Sequence, residues 1–174
     1  MQILRDIALD SRAHVETREQ AIFWLGEAGS EEDVSALMRL YRKLDNLHLK
    51  EQTIFAVSQN ADEDGGRWLL DLARDRNETV ELRKNALFWF GEKADTEAAD
   101  LKAVYDDADH VEIKEQVIFV LSQLGGSDAV SELISIVRHE RDKELRDRAM
   151  FWLGESEHPR AAEVLAELIN RPNG

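Results

Sequence analysis

Cysteine is absent from the 174 residues, which removes disulfide scaffolds, thiolate-bound zinc and thiol nucleophiles together. Proline occurs twice and glycine nine times, too few turn formers for an all-β chain of this length. No apolar run approaches the ~18 residues of a membrane helix. The longest, Ala21 to Leu25 and Ala86 to Phe90 among them, have five. The opening Met1-Gln2-Ile3-Leu4-Arg5-Asp6 lacks the apolar core of an export signal. Positive charge is also short: 22 Lys plus Arg face 36 Asp plus Glu, a net charge of −14. Phosphate backbones are bound by rows of Lys and Arg, so nucleic acid is not an expected partner, and neither is membrane insertion.

What is present is 43 % hydrophobic and 33 % charged residue, rich in the helix formers Ala, Leu, Glu, Arg and Lys. That composition predicts a soluble, globular, helical chain. It does not separate the cytoplasm from, for a part of a larger exported protein, the periplasm.

Self-similarity then organises the sequence. Five segments align: 17–27, 49–59, 82–92, 113–123 and 145–155. Their Phe residues, Phe23, Phe55, Phe88, Phe119 and Phe151, are spaced by 32, 33, 31 and 32. Each segment has apolar residues at helical spacing and no internal Pro, and a second helical pattern separates successive copies. The unit is therefore helix A, turn, helix B, turn, with six A helices and five B helices. Ser30, Thr96 and Ser127 are predicted N-caps beside Gly-containing turns. A two-repeat period overlies this one. Copies one, three and five read Phe-Trp-x-Gly-Glu; copies two and four read Phe-(Ala/Val)-x-Ser-Gln. Trp24, Trp89 and Trp152 alternating with Ala56 and Val120 predict large-beside-small packing along the stack.

A ~32-residue helix pair whose second helix opens Leu-Arg-x-x-Ala and closes on Leu-Gly or Phe-Gly resembles the HEAT repeats, in their PBS-lyase-like subtype. Leu82-Arg83-Lys84-Asn85-Ala86 with Phe90-Gly91, and Leu145-Arg146-Asp147-Arg148-Ala149 with Leu153-Gly154, carry the likeness. Copies two and four substitute Lys50 and Lys114 for the Arg, and copy one has Thr17 for the Leu. The resemblance implies an all-α, right-handed α-solenoid of five helix pairs plus a final helix. It also implies a ladder from the Arg or Lys to Asp45, Asn77, Asp109 or Asp142. The expected organisation is one domain, 1–174, with repeats near 1–29, 30–61, 62–94, 95–125 and 126–156 and a terminal helix at 158–170. Because the chain opens inside a helix and ends on a lone helix before Arg171-Pro172, it reads as an excised part of a larger protein.

No catalytic signature accompanies the repeats. The five His occupy no repeated position, and His110-Val111-Glu112 reads as surface rather than a ligand pair. Gly65-Gly66 reads as a turn, not a phosphate loop. No cofactor, metal or catalytic residue is expected.

On helix B, counted from Leu82 as position 1, ~100° per residue puts positions 1, 5, 8 and 9 toward the A helices and 6 toward the neighbouring repeat. Position 7, always Phe, lies on the opposite arc beside a Gly or Ser at position 10. Two readings of the Phe residues stay open: inter-repeat core, or a half-exposed ladder on the concave face. The ladder is edged by Glu19, Glu27, Glu51, Glu92, Glu115, Asp147 and Glu155. Rings rimmed by carboxylates suit a basic or aromatic protein or peptide segment. The function expected is a non-enzymatic protein- or peptide-binding scaffold; the alternative is a bilin lyase-like or other enzyme on HEAT-like repeats.

Overall fold

The computed structural model describes residues 2–28, 30–59, 63–93 and 95–170. Among them are eleven α-helices and no strand. The A helices are α1 (Gln2–Leu9), α3 (Glu31–Tyr41), α5 (Glu63–Arg74), α7 (Ala98–Asp107), α9 (Gly126–His139) and α11 (Pro159–Ile169). The B helices are α2 (Val15–Ala28), α4 (Leu47–Gln59), α6 (Val80–Gly91), α8 (Val111–Leu124) and α10 (Lys143–Glu155). The six-plus-five alternation read from the repeats is the one observed. No described helix is long and apolar enough to cross a membrane.

The chain divides into two compact units, Met1–Lys93 and Ala94–Gly174. In the first, α1, α3 and α5 pack on α2, α4 and α6 respectively, while α2 stacks on α4 and α4 on α6. In the second, α7 packs on α8, α9 on α10, and α8 on α10, with α11 closing on α9 and α10.

Periodicity decides what is buried. Positions 1 and 5 are solvent-free at Leu49, Leu82, Ile113, Leu145, Ala86, Val117 and Ala149. Position 6 (Ile22, Ile54, Leu87, Ile118) and position 9 (Leu25, Val57, Leu121, Leu153) complete the core. Thr17, the one departure at position 1, is exposed. Thr53, buried at position 5, satisfies its hydroxyl by donating to the Leu49 carbonyl at 2.8 Å.

Position 8 corrects the expected packing. Ala56 and Val120 are buried there, but Trp24 is 55 % exposed and Trp89 and Trp152 are only half-buried. The Cβ sits at the margin of the core, so a small side chain stays inside and an indole swings out, at Trp89 and Trp152 onto a Phe of the preceding B helix. Position 10 also differs from expectation at Gly26, where the vacant space is already used. A Cβ on Gly26 would lie 3.0 Å from the Ala56 Cβ, so glycine lets α2 and α4 approach closely. Ser58 and Ser122 donate back to the Phe55 and Phe119 carbonyls at 2.8 and 2.6 Å.

Of the three N-caps, Ser30 holds: its Oγ accepts from the Asp33 N–H at 3.3 Å. Thr96 and Ser127 do not. Glu97 occupies the N-cap of α7, and α9 begins at Gly126, ahead of Ser127. Gly125 and Gly126 have φ of 65° and 76°, a left-handed turn that starts the helix early.

Burial ranks the side chains by cost. Leu87→Ala, at a solvent-free site, is expected to lose about 2–5 kcal/mol of unfolding free energy, and Trp24→Ala less than about 1 kcal/mol. Urea denaturation of both variants measures the difference; equal losses would show that the exposed indole is a packing residue after all.

Candidate functional site

The Phe rings are not inter-repeat core. Phe23 and Phe151 are 43 % and 59 % exposed, and Phe55, Phe88 and Phe119 are half-buried. The half-exposed reading is therefore the one the geometry favours, with the Trp residues as members that the helical wheel had assigned to the core. In the first unit Trp89 lies between two rings, 4.8 Å from Phe55 on α4 and 5.0 Å, edge to face, from Phe88 on its own helix. Phe23 and Trp24 form a similar edge-to-face pair at 5.3 Å. In the second unit Trp152 repeats the arrangement, 5.7 Å from Phe119 and 5.2 Å from Phe151. Edge-to-face pairing satisfies the ring quadrupoles while leaving faces open.

Acids stand one helical turn from these rings, four residues before or after each Phe, where side chains share a face. Some are committed: Glu19 to His48 at 3.3 Å, Glu115 to Arg148 at 2.8 Å and Asp147 to Lys143 at 2.6 Å. Glu27, Glu51, Glu92 and Glu155 have no ion-pair partner among the described residues. Asn85, at position 4 between Phe88 and the helix start, has a buried Oδ1 with no hydrogen-bond partner.

A second cluster, not singled out in the sequence, recurs at the turns. Tyr41 donates its phenol to Glu78 at 2.8 Å, and Lys50 bonds the same Oε2 at 2.9 Å while lying 4.9 Å from the Tyr41 ring centroid. Tyr105, Glu140 and Lys114 repeat it, at 2.6, 3.4 and 4.8 Å. Its trace in the sequence is a shared 64-residue spacing, Tyr41 to Tyr105 and Lys50 to Lys114. Burial, then the bond to a carboxylate, raises both phenols far above their ordinary range. The Tyr105 bond leads in holding Glu140 down to about 2, aided by the Asp142 N–H and Lys114 against burial. At Glu78 burial acts upward, but Lys50, the Thr79 N–H and Tyr41 outweigh it and the carboxyl is lowered. A phenol that resists ionisation and a carboxylate that resists protonation make a poor acid–base pair and a good clasp.

The position-2 ladder is thus of two kinds. Arg18 and Arg83 donate Nε to the carbonyls of Ala8 and Ala73 at 2.9 and 3.0 Å, and Arg146 donates to those of Glu140 and Arg141. Lys50 and Lys114 reach the Glu of the clasp instead. Asp45 takes only a 3.8 Å contact from Arg18, Asn77 donates to Asp75, and Asp142 caps α10. Glu78 and Glu140 supply the lysine anchor expected of those residues.

His110 and Glu112 make an exposed 3.8 Å contact. No group of three or more His, Asp or Glu among the described residues is placed to hold a metal ion.

Residues 145–171 match the family model of the PBS lyase HEAT-like repeat. The fold is similar to that of human deoxyhypusine hydroxylase, solved in complex with glycerol. The match has 21 % identity and a TM-score of 0.59, over 99 % of this chain and 68 % of that one. No curated protein matches in sequence. These findings correct the expectation of a non-enzymatic scaffold. The repeat model is named for a lyase and the fold is one an enzyme uses, so the absence of a local catalytic motif excludes nothing. Repeat folds assemble sites from side chains on separate helices, which leave no contiguous signature.

The clasp sets a pH dependence with a definite sign. A carboxylate whose folded pKa is depressed stabilises above its unfolded value, ~4.3. That stability fades as pH falls toward about 2. Glu140→Gln is expected to cost on the order of 2 kcal/mol at pH 7, and the gap to the parent should close between about pH 5 and 2. Denaturant titrations across that range measure it; a gap that stays constant with pH would show that the bond carries no charge component.

Proposed function

We propose that this chain, built of PBS-lyase-type HEAT-like repeats, is an enzyme, bilin lyase-like or another raised on such repeats, whose B-helix aromatic strips hold its substrate. Support for an enzyme comes from the repeat model's lyase name and from the hydroxylase that shares the fold across nearly the whole chain. Support for the strips rests on one observation: the Trp and Phe rings stay partly exposed on a face where Glu27, Glu51, Glu92 and Glu155 lack ion-pair partners among the described residues. A ring face and an unpaired carboxylate attract the same kind of group, a cation, through quadrupole and charge respectively. The substrate on this reading is a protein or peptide segment carrying basic or aromatic side chains. The rings seat it and the acids select its charge. Each ring contributes about 0.5–1 kcal/mol, so affinity accumulates along an extended segment rather than in one deep pocket.

Mass spectrometry of a Lys- and Arg-rich peptide pool, incubated with the chain and a cell extract supplying small cofactors, tests the reading. A chain-dependent mass change is expected. Phe88→Ala should raise KM for the altered peptide by about two- to fivefold, with little change in kcat. Peptides that bind but never change mass would overturn the enzymatic reading. A change in mass that Phe88→Ala and Glu51→Gln leave untouched would remove the strips from it.

A further inference from the structure

On the A-helix side of the first unit the surface reverses sign. A cavity of about 490 Å³ opens between α1 and α3, within the size range of small-ligand sites. Arg5, Arg39, Arg42 and Lys43 line it, with Asp6 as the sole acid. Four cations against one carboxylate leave +3 in a chain at −14. Asp6 is further occupied, accepting from the Gln2 amide at 2.8 Å. Leu9 and Leu40 supply apolar wall.

Three of these four cations are not spent on internal pairs. Arg39, Arg42 and Lys43 have no side-chain partner among the described residues. Arg5 reaches Asp33 and Glu32 only at 3.6 and 3.9 Å through Nη2, and its Nε is buried with no hydrogen-bond partner. A buried donor left unmade is costly, and a guanidinium is shaped to offer two parallel N–H groups to an oxyanion. Cations at a helix C-terminus also offset the macrodipole, which accounts for Arg39 in the last turn of α3. It does not account for Arg5, midway along α1, which converges with Arg39, Arg42 and Lys43 on one apolar-walled cavity.

We propose that this cavity binds an amphipathic oxyanion, a carboxylate, sulfonate or phosphate ester carried on an apolar body. The guanidinium groups take the oxygens and the leucine side chains take the body. The site is independent of the aromatic strips and stands or falls apart from them.

Fluorescence titration with anilinonaphthalene sulfonate, and with phenylnaphthylamine as the uncharged counterpart, tests it. The sulfonate should bind about tenfold or more tightly than the neutral dye. The Arg39→Gln/Arg42→Gln double variant should lose about tenfold or more of that affinity at an unchanged melting temperature, while Glu51→Gln should lose none. Equal affinity for the two dyes, or an undiminished sulfonate affinity in the double variant, would overturn the proposal.

Discussion

How closely two successive B helices can approach governs the rest of the first unit. Where α2 meets α4 the contact is glycine on alanine, Gly26 against Ala56, and the backbones close in. Where α4 meets α6, Trp89 stands at the position that Ala56 holds in α4, and its ring lies against Phe55. An indole cannot enter a margin that an alanine fills, because a close-packed interior has no spare volume. It moves outward instead and packs on the neighbouring Phe. The exposed aromatic strip is thus a by-product of core geometry. The two-repeat period in the sequence is the record of those two kinds of contact.

The turns follow the same period by other means. Arg at position 2 satisfies carbonyls at the end of the preceding A helix, as Arg18 does for Ala8 and Arg83 for Ala73. Lys, with a single ammonium and no fork, is directed to a carboxylate that a tyrosine also holds. Glu140 in turn accepts the N–H groups of Arg141 and Asp142, so one carboxylate fixes the side chain and the loop together. Each clasp therefore sets the entry of a B helix, and with it the direction in which that helix presents its rings.

Much of this was legible in the residues. The repeat, the helix count and the buried positions follow from 3.6-residue periodicity, and Thr17 is exposed where the pattern itself lapses. The Phe residues lay on the arc predicted for them. The indoles were misplaced because a helical wheel gives the direction of Cβ, not where a large ring ends. Ser127 does not cap α9, because two left-handed glycines open the helix and put its N-cap at Gly125, two residues earlier. The clasp and the basic cavity were invisible for a common reason. Tyr41 and Glu78, or Arg5 and Arg39, are more than thirty residues apart and meet only because A helices stack on their neighbours.

The charges divide in a way that packing alone does not require. The C-terminal end of a helix is its negative end, and a carboxylate there is electrostatically unfavourable. Yet Glu27, Glu92 and Glu155 sit at that end of α2, α6 and α10, and none of these helices has a basic residue in its last turn. The carboxylate deepens the negative potential beside the rings instead of relieving it. At the end of α3 the arrangement is the opposite: Arg39, Arg42 and Lys43 more than offset the helix, and Arg5 joins them from α1. Neither choice is the one that helix stability favours by itself, since the first adds repulsion and the second crowds like charges. B-helix ends poised for cations and an A-helix corner poised for anions are what remain when stability is removed as the explanation. On the reading proposed above, such a partition fits an amphipathic or mixed-charge substrate better than a uniformly acidic binding surface would.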